Sequence, residues 1–255
     1  MAQRFMCRLS VLPMRESPED AAEMVSQLLF GETATLIDQQ QQWIHIQSST
    51  DQYEGWIDHK QVVSISESTF QQLQQVDAFI QELIEPLQTP WGVIPILKGS
   101  PLINIGQQFN IDKMSFRWVE PITNNEVQTV VELAKRYLNS PYLWGGRSPF
   151  GIDCSGFTQL VYRQFGIPLK RDASQQFQQG LTVDLNAIQA GDAVFFSNPK
   201  TGNVNHVGIA LGKDEIIHAH GHVRIDDLTN QGIINRERQE RSHQYCGVRR
   251  FLNDQ

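Results

Sequence analysis

The chain has 255 residues, 40% of them hydrophobic, a formal net charge of -7 and three cysteines. That size admits one large domain or two to three small ones with substantial cores. The acidic balance offers no basic face for nucleic acid, and no stretch approaches the ~20 apolar residues that span a bilayer. The acid is unevenly spread: residues 1–124 carry 7 Lys+Arg against 15 Asp+Glu, and the remainder 14 against 13. An acidic front half, suited to solubility or to a substrate with a free amine, thus precedes a neutral half.

The start, Met1 to Arg8, has neither a long apolar core nor a small-residue cleavage site, so no signal peptide is expected and the cytoplasm is the expected location. Cysteines at 7, 154 and 246 are too sparse for a disulfide scaffold, and Cys7 and Cys246, in strand-like apolar runs, read as small buried hydrophobes. No Cys-x-x-Cys pair and no convincing metal spacing occurs. In chain order, short alternating segments at Phe5 to Leu12, Thr33 to Ile37, Trp43 to Gln47 and Gly55 to Asp58 predict a small β-barrel, with an acidic insertion from Ser17 to Phe30. The Gln-rich stretch Ser66 to Leu83 reads as a helix or connector with a solvated face. A second β-like block, Trp91 to Leu97, Pro101 to Ile105 and Ser115 to Val119, predicts a second barrel.

From Thr123 the periodicity changes. Asn124 is placed to cap a helix with apolar positions 127, 130, 131, 134, 137 and 138, ending near Ser140-Pro141. A second helix, Cys154 to Phe165, buries Phe157, Leu160, Val161 and Phe165 and stops at Gly166. A short one follows Asp172 to Gln179. Strands are then expected at Ala193 to Ser197, His206 to Leu211, Glu215 to Ala219, Val223 to Asp226 and Tyr245 to Leu252. Helices followed by an antiparallel sheet make an α+β unit. The boundaries are 1–65 for the first barrel, 66–122 for the connector and second barrel, and 123–255 for the α+β domain.

Chemistry concentrates at Asp153-Cys154-Ser155-Gly156, where the loop Tyr142-Leu143-Trp144-Gly145-Gly146 runs toward a helix start. A helix N-terminus carries about half a positive charge and can lower a thiol pKa from ~8.5 to between ~3.5 and ~7.5. Two histidines on neighbouring strands supply a base: pairing of the His206 and Glu215 strands through Gly212-Lys213-Asp214 makes His206 and His218 neighbours. A nucleophile, a base and a group orienting the base is the arrangement for covalent acyl transfer. In a regular strand His220 faces the same side as His218, so periodicity leaves the orienting member open between the two. Asp153 can cap the helix and still offer its second oxygen to an ammonium, while Tyr142 and Tyr53 also suit packing and Ser174 the backbone of its own helix.

Tyr142 to Gly146, Asp153 to Gly156, Arg171-Asp172-Ala173-Ser174-Gln175-Gln176, Gly191-Asp192-Ala193-Val194-Phe195-Phe196 and Asn205-His206-Val207-Gly208 together resemble the motifs of the NlpC-type cell-wall peptidases, papain-like cysteine enzymes. The match spans roughly residues 125–255. Asp51-Gln52-Tyr53-Glu54-Gly55-Trp56-Ile57 is similar to the signature of the SH3-like domain found ahead of such peptidases in the γ-D-glutamyl-L-diamino acid endopeptidases. The resemblance implies an α+β, papain-like catalytic domain preceded by two SH3-like barrels, the first of which closes the substrate cleft. It implies Cys154 as nucleophile, His206 as base, His218 as its orienting partner and Tyr142 near the oxyanion. Tyr53, Asp153, Ser155, Ser174 and Glu23 would hold the substrate's amino end. The implied substrate is a muropeptide with a free L-Ala amine, cut to release L-Ala-D-Glu in murein recycling, with no cofactor, metal, nucleic acid or membrane involved. The run His218-Ala219-His220-Gly221-His222 departs from the small polar residues common after the third member. The alternatives are an acyltransferase or amidase of the same fold and a peptidoglycan-binding module.

Overall fold

The computed structural model describes residues 3–122 and 127–252, and these fall into two compact units: 3–122 with 144–149, and 127–143 with 150–252. In the first unit, β1 (Arg4–Cys7), β2 (Val11–Arg15), β3 (Met24–Leu29), β4 (Thr33–Gln40), β5 (Trp43–Ser48), β6 (Glu54–Asp58) and β7 (Val62–Ile65) form an antiparallel sheet in the order β3-β2-β6-β5-β4-β1-β7. Period-two patterning turns Ile44 and Ile46 of β5 inward onto Phe5, Leu12, Met14, Leu28 and Ile57. The expected acidic insertion hides a strand. β3 is concealed because Ser26 and Gln27, consecutive and both buried, break the apolar alternation. The run Phe5 to Leu12 is likewise two strands, with a turn between them.

The connector is the helix α1 (Glu67–Gln74), started by Ser66, whose hydroxyl accepts from the Thr69 N–H at 3.2 Å. The second block was expected as another barrel. It is a four-stranded antiparallel sheet, β10-β11-β8-β9, built from β8 (Ile84–Thr89), β9 (Gly92–Leu97), β10 (Gln108–Ile111) and β11 (Met114–Trp118). Pro101 to Ile105 is not one of its strands; Pro101 makes only an isolated bridge to Phe79. This sheet has no core of its own: Leu87, Ile96, Phe109, Phe116 and Trp118 pack in one cluster with Phe70 and Leu73 of α1 and with Met6, Phe30 and Ile65 of the first block. The shared apolar surface makes the two blocks one unit.

The segment Trp144–Pro149, containing β12 (Arg147–Ser148), belongs to the same unit. Gly145 has φ +75°, and a Cβ there would stand 2.3 Å from the Met24 carbonyl oxygen, so only glycine lets the segment lie this close to β3. The buried Arg147 guanidinium donates to Glu32 at 2.9 and 3.1 Å and to the Gln27 carbonyl at 2.6 Å.

The second unit opens with α2 (Val130–Lys135), which is shorter than the apolar stripe suggests. Thr129 starts it, because its hydroxyl accepts the Glu132 N–H at 3.1 Å; the expected cap, Asn124, lies outside the described residues. β13 (Gly151–Ile152) leads into α3 (Cys154–Arg163), which is buried along its whole length, and α4 (Ala173–Gln176) follows, opened by a capping box of Asp172 and Gln175. The sheet comprises β14 (Leu181–Val183), β15 (Ala193–Ser197), β16 (Val204–Ala210), β17 (Glu215–His220), β18 (His222–Thr229), β19 (Gly232–Asn235) and β20 (Glu240–Arg250), in the order β14-β20-β15-β16-β17-β18-β19. β20 also pairs with β19, using Glu240 to Gln244 there and Gln244 to Arg249 against β15, so β15 to β20 close into a ring. Helices α3 and α4 pack on β16. No helix among the described residues is long and apolar enough to cross a membrane.

Candidate active site

Asp153 fixes the start of α3. Its Oδ1 accepts from the Gly156 N–H at 2.7 Å, which makes Cys154 the first helical residue. The Cys154 thiol is buried, with the backbone of Val207 and of Ser155 near enough to favour its ionised form. It therefore lies against β16 at the residue after His206. Burial, reinforced by the Asp153 carboxylate, pushes the thiol up to about 12, against the lowering influence of the Val207 and Ser155 backbone groups and of Arg171. The helix N-terminus expected to favour a thiolate is outweighed by desolvation, so the thiol keeps its proton until something takes it.

β16 pairs with β17 in a register that sets Gly208 opposite His218. His206 and His218 are thus diagonal neighbours, and Nε2 of His206 lies 2.8 Å from Nδ1 of His218. Gly208 permits the approach: a Cβ there would stand 2.8 Å from the Cβ of His218. The series continues, with Nε2 of His218 3.0 Å from Oδ2 of Asp226 on β18. Asp226 in turn accepts from the Arg224 guanidinium and the Arg236 N–H, each at 3.0 Å. Burial opposes its ionisation, but the hydrogen bonds from His218, Arg236 and Arg224 prevail and hold the carboxyl below its ordinary range.

This series sets the tautomers. An ionised Asp226 only accepts, so Nε2 of His218 carries hydrogen and Nδ1 is a bare acceptor. Nε2 of His206 must then donate, leaving Nδ1 of His206 as the free base. Burial, with the neighbouring His243, His218 and His220, keeps the His206 pKa well below its usual value, so the ring is neutral and able to take a proton. Of the two histidines left open by strand periodicity, His218 is the one hydrogen-bonded to His206; the exposed His220 has its ring 6.4 Å from that of His206.

Tyr142 is drawn toward Cys154 by a parallel bridge to Ile152 and by the Ile152 N–H donating to Pro141. Burial, then the nearby Cys154 and Asp153, raise its phenol pKa. Asp153 and Ser155 form a cluster with Arg171. Nη1 of Arg171 donates to Oδ1 of Asp153 at 3.1 Å and to the Ser155 hydroxyl at 2.9 Å, and Nη2 reaches Oδ2 of Asp153 at 2.5 Å. Oδ1 thus receives three donors, from Gly156, Ser155 and Arg171. Ser174 is exposed in the first turn of α4, outside that hydrogen-bonded set. The remaining two residues belong to the first unit. The exposed Glu23 accepts from the Trp144 indole N–H at 2.6 Å, and the half-buried Tyr53 packs at the edge of the barrel core, its N–H on Asp51 at 3.0 Å.

Sequence reasoning missed Asp226, the partnering role of Arg171, and His243. Asp226 left a trace, since Arg224 and Asp226 are charges at strand spacing that alternate with Val223 and Ile225. His243 left none: closure of the ring through β20 brings its ring to 3.9 Å from that of His206, the planes 20° apart. A buried thiol near Val207, the residue after a neutral imidazole that a carboxylate fixes through a second ring, is a set equipped for nucleophilic acyl transfer.

The NlpC/P60 family profile matches residues 139–242 and that of the bacterial dipeptidyl-peptidase SH3 domain residues 14–62. The chain is 27% identical to a γ-D-glutamyl-L-lysine dipeptidyl-peptidase of Bacillus cereus, over 91% of this chain and 77% of that protein. It is 26% identical to dipeptidyl-peptidase 6 of Lysinibacillus sphaericus, over 86% and 90%. The crystal structure of an NlpC/P60 family protein from Bacillus cereus shares the fold at a TM-score of 0.80 and 20% identity, covering 98% of this chain and 100% of that one.

Proposed function

The chain belongs to the NlpC/P60 family of cysteine peptidases, with a bacterial dipeptidyl-peptidase SH3 domain ahead of its catalytic unit, and from that premise we propose that it hydrolyses the bond between the γ-carboxyl of D-glutamate and a diamino acid in cell-wall peptides, releasing L-Ala-D-Glu. The observation that carries this reading is the hydrogen-bonded series from His206 through His218 to Asp226, with a thiol near Val207. Sγ of Cys154 attacks the γ-carbonyl carbon as its proton passes to Nδ1 of His206. The oxyanion is met by the Cys154 N–H and the Tyr142 hydroxyl, donors of a kind worth ~3 kcal/mol each. The imidazolium gives its proton to the departing amine, and water, deprotonated by His206, cleaves the thioester.

The series makes Asp226 a positioning residue. In Asp226→Asn the amide NH₂ can donate to Nε2 of His218, which moves hydrogen to Nδ1 of that ring and forces His206 into the tautomer that cannot accept a proton. A comparable change at a carboxylate directly bonded to the base costs about 10⁴-fold; one ring further away, kcat is expected to fall about 10²-fold with KM little changed. Steady-state kinetics on the folded variant check this, and an unaltered kcat removes Asp226 from the mechanism.

The substrate reading adds that the L-Ala amine must be free, with Tyr53, Asp153, Ser155, Ser174 and Glu23 the residues that the family resemblance assigns to it. The names of the two relatives and the acidic front half support it. A site built around an ammonium leaves its acceptors unpaired when the amine is acylated, a penalty of at least about 10²-fold. Mass spectrometry of L-Ala-γ-D-Glu-meso-diaminopimelate and its N-acetyl form, with the L-lysine pair alongside, measures it. Equal cleavage of free and acetylated peptides defeats the amine requirement and leaves the peptidase standing. A free-amine requirement suits peptides already detached from glycan, and hence a cytoplasmic recycling role.

A further inference from the structure

We propose that His206, His218 and His243 form a binding site for a zinc-like divalent transition-metal ion, whose occupancy switches the peptidase off. One ring nitrogen from each histidine lies within 4.8 Å of the others. Zinc bonds of about 2.0–2.1 Å to nitrogen place tetrahedral ligands roughly 3.4 Å apart, so the group has to close by little more than about 1 Å. His206 and His218 are nearer still, their nitrogens 2.8 Å apart with a single hydrogen between them; the ion would take its place, and that hydrogen moves to Nδ1 of His206, so both rings bind as neutral imidazoles with no net loss of a proton.

The surroundings resemble those of a built metal site. A ligating imidazole normally gives its second ring N–H to an oxygen, which fixes the ring and strengthens the ligand. His218 does this to Asp226 at 3.0 Å, and Nδ1 of His243 lies 2.9 Å from the Ser242 hydroxyl. Three different strands, β16, β17 and β20, present the rings. The rings of His206 and His218 stand at 85° and are fully packed, whereas His243 is half-buried and stacks on His206 with planes 20° apart. Ring lone pairs lie in the ring plane, so His243 must swing out of the stack to coordinate. Its partial exposure gives it room, and that motion is the step that closes the site.

The binding depends on the imidazoles alone; the inhibition it causes rests on the cysteine-peptidase reading, because a metal on His206 and His218 takes away the base and its orienting partner. The two consequences are read separately. Cobalt(II) serves as the spectroscopic probe: titrated into full-length Cys154→Ala, it is expected to give visible d–d absorption at one equivalent without a sulfur charge-transfer band. His243→Phe, which keeps a ring in the stack and removes the nitrogen, is expected to lose that absorption, with His243→Gln as a second variant. Zinc is expected to inhibit hydrolysis by the wild type reversibly, with EDTA restoring it, and the His243 variants, each measured against its own metal-free rate, to need at least about 10-fold more zinc for half inhibition. Inhibition unchanged in both His243 variants, or cobalt binding that disappears with Cys154→Ala, overturns the proposal in favour of simple chelation by the thiol. A protein that binds cobalt through His243 yet cleaves none of the test peptides upholds the metal site and defeats the peptidase reading.

Discussion

Cys154→Ala is expected to abolish hydrolysis, by about 10⁴-fold or more, while the protein remains folded. Removing the nucleophile of a covalent mechanism forfeits the whole acyl-enzyme route and leaves only what oriented donors do for direct attack by water; 10⁴-fold corresponds to ~5.5 kcal/mol of barrier. The fold is expected to persist, because the change removes a single buried sulfur and leaves the Asp153 cap and the Arg171 cluster untouched. A melting temperature within a few degrees of wild type, with no peptide product by mass spectrometry, is the expected pair of results. Residual turnover near the wild-type rate removes the thiol from the chemistry. Alkylation is a weaker test than the sequence suggests. With the Cys154 thiol buried and pushed up to about 12, slow labelling by iodoacetamide is the expected resting behaviour of an enzyme, since the reagent meets a thiol whose proton leaves only as His206 takes it.

What the sequence discloses follows the range of the forces involved. The start of α3 is legible because a cap, a glycine stop and a 3.6-residue stripe all lie within a dozen positions. The expected strand Ala193 to Ser197 coincides with β15 because it is apolar throughout and ends at turn residues. The pairing of β16 with β17 follows from a short turn. Its register does not, since nothing local distinguishes Gly208 opposite His218 from His206 opposite it; the contact of Gly208 with His218 and Ile216 decides. β3 lies inside the stretch expected as an acidic insertion, Ser17 to Phe30, and its Gln27 side chain accepts the Arg147 N–H from 120 residues away at 2.7 Å. His243 and Asp226 reach the site by the same kind of distant pairing, through β20 and β18. Charged and polar groups whose partners are far along the chain carry no periodic signal, and these are the groups that set tautomers.

The largest loss of stability is expected from Glu32→Ala. Glu32 and Arg147 are each 1% exposed in their side chains, with nitrogen and oxygen 2.9 Å apart. Breaking such a buried pair from one side leaves a charge without its counter-ion, which costs about 3–5 kcal/mol, far more than an exposed pair contributes. Here the loss is compounded, because Glu32 also accepts the Leu29 N–H at 2.9 Å and so shapes the turn between β3 and β4. Arg147, for its part, reaches the Gln27 carbonyl as well, at 2.6 Å. Chemical denaturation should therefore show the first unit unfolding at markedly lower denaturant, with the transition of the second unit as an internal reference. Replacing both partners, as Glu32→Leu with Arg147→Met, separates the two contributions. Removing both charges spares the uncompensated ion, so the double variant should be more stable than Glu32→Ala even though it has lost every bond of the pair. If the double variant is the less stable of the two, the guanidinium's bonds to Gln27, rather than its pairing with Glu32, hold the segment Trp144–Pro149 in place.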